Sequence, residues 1–83
     1  MNECSIKVLG MGCKSCHDQH ANVIDALANM NLAADVEYVT DPQRIMGYGA
    51  MSMPAIVVNE KVVSMGKVLK PDDVTKLLEK LGY

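Results

Sequence analysis

The sequence predicts an α/β fold in the order β-α-β-α-β-β-α, on three observations. From Cys13 to Met30 the apolar residues Cys16, Val23, Ile24, Leu27 and Met30 recur at three- and four-residue steps, marking one helix face. Pro71-Asp72-Asp73 opens a second such stripe through Val74, Leu77, Leu78 and Leu81, with Gly82 as a stop. Short runs rich in β-branched residues lie before and between these stripes. The 83 residues have room for one domain, expected to span 1–83, and 49% hydrophobic with 22% charged residues fits a globular chain.

Residues 3–9 form the first expected strand, ended by Gly10-Met11-Gly12, a loop too glycine-rich to extend it. The helix from Cys13 follows at once. Residues 34–39 read as a second strand whose Asp35 and Glu37 suit a sheet edge, because charge there discourages pairing with other chains. Asp41-Pro42 opens a short helix, with Asp41 as N-cap and Pro42 at the first position, and this helix should end near Gly47 or Gly49. Residues 55–58 and 61–65 are separated only by Asn59-Glu60 and predict an antiparallel hairpin, although Glu60 is not a preferred turn residue. The final helix carries Asp72 and Asp73 at its positive end.

A net charge of −2 without any basic run argues against nucleic acid or an anionic membrane as partner. No apolar stretch approaches the roughly 20 residues of a spanning helix, and no cationic-then-apolar leader precedes the first strand. A cytoplasmic location is therefore expected. There, cysteines more often do chemistry or bind metal than form structural bridges, and three of them cannot close a disulfide framework.

The segment Gly10-Met11-Gly12-Cys13-Lys14-Ser15-Cys16-His17 supports three readings. In the first, a Cys-x-x-Cys dithiol sits at a helix start, where unpaired N–H groups and the helix dipole stabilise a Cys13 thiolate as nucleophile. Cys16, one turn later, resolves the mixed disulfide, while Lys14 and protonated His17 add positive charge or are simply solvated. In the second, Met11-x-Cys13-x-x-Cys16 resembles the heavy-metal-associated copper chaperones, whose two thiolates suit Cu(I) or Zn(II) delivery. In the third, Cys-x-x-Cys-His is the attachment pattern of c-type haem, which normally needs export and a helical pocket.

Ser52-Met53-Pro54-Ala55-Ile56-Val57-Val58 and the run through Gly66 bring the chain to resemble the thioredoxin superfamily, in particular its short thioredoxin- and glutaredoxin-like redox-active disulfide proteins. The resemblance implies a thioredoxin-like four-stranded mixed sheet in the order 2-1-3-4, with the first and last helices on one face and the short helix on the other. It also implies a cis Met53-Pro54 bond beside the dithiol, leaving the Met53 backbone able to pair with an extended substrate. The chemistry it implies is thiol–disulfide exchange, with Cys13 and Cys16 catalytic and Met11, Gly12, Lys14, Met53, Pro54 and Gly66 contacting substrate. The partners would be a disulfide-containing protein or small thiol and an electron donor, acting on a monomer that needs no cofactor. A copper chaperone would instead run β-α-β-β-α-β and end on a strand.

The chain departs from that family in several places. It has no tryptophan before the dithiol, Lys14-Ser15 replaces the Gly-Pro spacer, and no acid stands between Glu3 and Cys13 to match thioredoxin's buried carboxylate. Met65-Gly66-Lys67 stands where glutaredoxins carry the glutathione-binding glycines. Among the remaining residues, Cys4 reads as a strand thiol remote from the dithiol, and Met30 and Met46 as core filler. Met11, Met51, Met53 and Met65 read as an apolar collar near the site. His20 is expected to be a partly buried structural histidine, and Tyr38 and Tyr48 large core contributors.

Overall fold

The computed structural model describes residues 5–12, 14–32 and 34–82. Its elements are β1 (Ser5–Leu9), α1 (Lys14–Asn29), β2 (Asp35–Val39), α2 (Pro42–Gly47), β3 (Ala55–Val58), β4 (Lys61–Met65) and α3 (Pro71–Lys80). The strands form one mixed sheet in the order β2-β1-β3-β4, with β1 parallel to β2 and antiparallel to β3. This is the expected thioredoxin-like arrangement. None of the described helices is long and apolar enough to cross a membrane.

Local chemistry accounts for the boundaries. Asp41 caps α2 by accepting from the Gln43 N–H at 3.0 Å, ahead of Pro42. The β3–β4 turn places Asn59 at φ 51° and Glu60 at φ 70°, the left-handed pair that a two-residue hairpin demands. Glu60 is held there despite its side chain, because its carboxylate receives Lys7 Nζ at 2.7 Å. Asn59 ties the same turn to β1, its N–H donating to Ser5 O at 2.8 Å and its Oδ1 accepting from Ser5 N at 3.0 Å.

Alternation along the strands divides the core between two faces. Ile6, Val8, Ile56 and Val58 point toward α1 and α3 and pack with Val23, Ala26, Leu27, Val74 and Leu78. Leu9, Val39, Ala55 and Val57 point the other way, around Ile45 of α2. Three side chains fall outside the expected core. Ile24 is 46% exposed, because the buried stripe of α1 runs through Cys16, Gln19, Val23, Ala26 and Leu27 and leaves Ile24 on its flank. Met46 is 77% exposed, since a six-residue helix turns only Ile45 toward the sheet. Leu81, just past the end of α3, is also exposed.

Candidate active site

The site is built at the end of the sheet where β1 runs out and α1 begins. Gly10 continues β1 for one more hydrogen bond, its N–H donating to Val39 O at 3.0 Å. Its missing side chain makes room for the helix: a methyl group there would lie 2.5 Å from both Cβ and Sγ of Cys16. Gly12, at φ 86°, then takes a left-handed turn that a side chain would resist, ahead of α1. Cys16 falls in the first turn of α1, is 1% exposed and is disulfide-bonded. The described first turn carries no acid to neutralise the positive helix terminus, and Lys14 lies exposed within it. Cys13, the expected nucleophile, and Cys4 lie outside the described residues.

The expected substrate contacts reach the same end of the molecule by sheet register. Leu9 pairs with Ala55, so Pro54, one residue earlier in the antiparallel strand, stands level with Gly10. Pro54 is buried, its peptide bond to Met53 is cis, and its carbonyl accepts from Gly66 N at 3.0 Å. Gly66, at φ 77°, packs so closely on Ser52 that a methyl group would come within 3.2 Å of the Ser52 Cβ. That contact sets the segment before β3 against the turn that follows β4. Met51, Met53 and Met65 are 90%, 42% and 45% exposed, and Met11 on the β1–α1 loop is 54% exposed.

Two arrangements escaped sequence reasoning. Gln19, fully buried one turn after Cys16, clamps the loop after β4: its Oε1 accepts from Leu69 N at 2.7 Å and its Nε2 donates to Leu69 O at 3.1 Å. Asn22 donates to the same carbonyl at 3.0 Å. The signal was a polar residue at an apolar position of the α1 period, legible only once its partner 50 residues away is known. The second is an aromatic cluster. Tyr38 of β2 is half-buried against the α1–α3 core, with the ring of His20 stacked on it at 5.2 Å and that of His17 edge-on at 5.3 Å. His17 is exposed and His20 partly buried, as the helix period predicts.

The shifted ionisable groups lie on the α2 face. The Arg44 guanidinium binds both carboxylate oxygens of Glu37, at 2.7 and 3.2 Å, and its hydrogen bond holds that carboxyl below its ordinary value while Arg44 is raised in turn. The hydrogen bond from Lys7 lowers Glu60, and the same bond raises Lys7, whose ammonium lies 6.0 Å from the centre of the Tyr48 ring.

Comparison with known proteins places this geometry. The family model described as thioredoxin domain matches residues 4–79. A thioredoxin of Methanothermobacter thermautotrophicus is 25% identical over 73 residues, which cover 88% of this chain and 95% of that one. A solved structure titled as that of a malarial protein superposes with a TM-score of 0.76 at 13% identity, covering 99% of this chain and all of the other, a likeness of fold.

Proposed function

We propose that the chain, which belongs to the thioredoxin-domain family, is a thiol–disulfide oxidoreductase that works through Cys13 and Cys16. The observation that carries this reading is the state of Cys16: a buried sulfur in a disulfide, in the first turn of a helix that starts directly beyond the carboxyl end of β1. In open α/β sheets, that is where ligands are met and chemistry is done.

Cys13 is taken as the disulfide partner and the attacking thiolate, stabilised by the helix terminus and by Lys14. It opens a substrate disulfide to form a mixed disulfide, releasing one substrate thiolate. The Cys16 thiolate then attacks the Cys13 sulfur, closing the protein disulfide and releasing the second substrate thiol. Met53 and Pro54 at the head of β3, with Met11, Gly12 and Gly66, form the apolar rim against which a disulfide-bearing chain lies. Return to the dithiol needs a thiol reductant.

The test is trapping. With a small aromatic disulfide or a disulfide-bonded peptide, and with Cys4 replaced by Ser in both proteins, Cys16→Ser should accumulate a mixed disulfide visible by intact mass, and Cys13→Ser should form none. A Cys16→Ser protein that stays unmodified by every disulfide offered would end the exchange reading.

A further inference from the structure

Among the described residues, the Tyr38 hydroxyl is buried and has no hydrogen-bond partner. Buried polar atoms are nearly always paired, and one left unpaired carries a desolvation cost that nothing in this state offsets. The ring cannot easily turn its oxygen toward solvent, because His20 is stacked on it and His17 meets it edge-on. The position is specific. The point occupied by a methyl group on Gly10 would be 2.5 Å from Cys16 Sγ and 3.4 Å from Tyr38 Cε1, the ring carbon next to the one bearing the hydroxyl. The edge of the Tyr38 ring that carries the orphan donor and the buried sulfur therefore border the same small space from two elements.

A disulfide sulfur is a poor acceptor, whereas a thiolate is a strong one. When a reductant thiolate attacks the Cys13 sulfur, the S–S bond breaks and Cys16 leaves with the bonding pair, as a thiolate in a site 1% exposed to water. Burial disfavours that charge unless a donor meets it. Of the charged or titratable groups on the first two turns of α1, Lys14 and Asp18 are exposed, and the rings of His17 and His20 pack on Tyr38.

We infer that Tyr38 is the donor that receives the Cys16 sulfur: its hydroxyl hydrogen-bonds the Cys16 thiolate or thiol in the reduced protein and has no partner in the oxidised one. This rests on the exchange reading above and deepens it. The hydroxyl thereby stabilises the leaving sulfur during reduction and biases the dithiol–disulfide equilibrium toward the dithiol.

Tyr38→Phe tests this, since it keeps the ring and both histidine contacts and removes only the oxygen. Equilibrated against reduced and oxidised glutathione, the variant should favour its disulfide about tenfold more than the parent, which is about 30 mV toward a more reducing potential. Its disulfide should also be reduced several-fold more slowly by dithiothreitol. A purely structural role predicts something different, namely an unchanged redox equilibrium with altered unfolding. On the present inference, the oxidised variant unfolds at the same urea concentration as the parent or a higher one, because the oxygen removed had no partner. A variant that matches the parent in both equilibrium and reduction rate overturns the role of Tyr38 while leaving exchange intact. A parent that never equilibrates with glutathione sinks exchange and this inference together.

Discussion

The two faces of the sheet are covered in different ways. On the α1–α3 side, Ile6, Val8, Ile56 and Val58 meet two helices and the interior is closed with apolar side chains. On the α2 side, a six-residue helix supplies only Ile45, with Tyr48, Ala50 and Val62 packed around it, and two ion pairs, Lys7 with Glu60 and Arg44 with Glu37, lie at the rim. Lys7 illustrates the compromise: its side chain is 12% exposed, so its stem covers the sheet while its ammonium reaches a carboxylate at the rim. The buried sulfur belongs to the closed face. A helix long enough to shield the strands also keeps water from Cys16, so the core and the candidate site share one helix there, and on the other face they share none.

The largest effect is expected deep in the closed face. Leu78→Ala removes a side chain 1% exposed from the contact of α3 with α1 and the sheet. It should cost about 2–5 kcal/mol, read as a lower urea midpoint at unchanged slope. A smaller and more local loss is expected from Gly10→Ala. The new methyl group would fall 2.5 Å from two atoms of Cys16, so either α1 or the end of β1 must shift, at about 1–3 kcal/mol. Because the strain bears on the sulfur itself, Gly10→Ala should slow disulfide exchange in protein that is still fully folded. Leu78→Ala, tested at low temperature where it remains folded, should not.

The same contrast explains what could be read from the sequence. The element order followed from periodicity and turn chemistry, because Asp41-Pro42, Asn59-Glu60 and Pro71 act on their immediate neighbours. The sheet order came from the resemblance carried by Ser52–Val58, and the register that sets Pro54 level with Gly10 agrees with it. What stayed hidden depends on distant partners. Gln19 stands at an apolar position of the α1 period that sequence reasoning did not single out, yet it is fully buried, because Leu69, far along the chain, supplies both a donor and an acceptor. Tyr38 was legible as a large residue facing the core, but that its oxygen would have no partner depends on how α1 lies over β2. Met46 was misread because hydrophobicity says nothing of how much sheet a single short helix can cover.

The smallest effect belongs to the α2 face and has a pH signature. Glu37 and Glu60 ionise more readily in the folded chain than at the ordinary value of 4.5, each chiefly through its hydrogen bond to a cation. A depressed carboxyl stabilises the fold fully above that ordinary value and loses its contribution as pH falls through the folded one. Lys7 runs the opposite way: raised from 10.5, it contributes below that value and is lost as pH climbs through its folded one. Both carboxylates are well exposed, at 66% for Glu60 and 49% for Glu37, so water and salt screen the pairs. Glu37→Gln/Glu60→Gln should therefore be only slightly less stable than the parent at neutral pH. The difference should shrink in molar salt and close on acidification below 4.5. Its disulfide exchange rate should equal that of the parent, because neither carboxylate lies on the face that shields Cys16. A clear change in exchange would mean that the ionic face reaches the sulfur through β1, and that the two sides of the sheet are coupled after all.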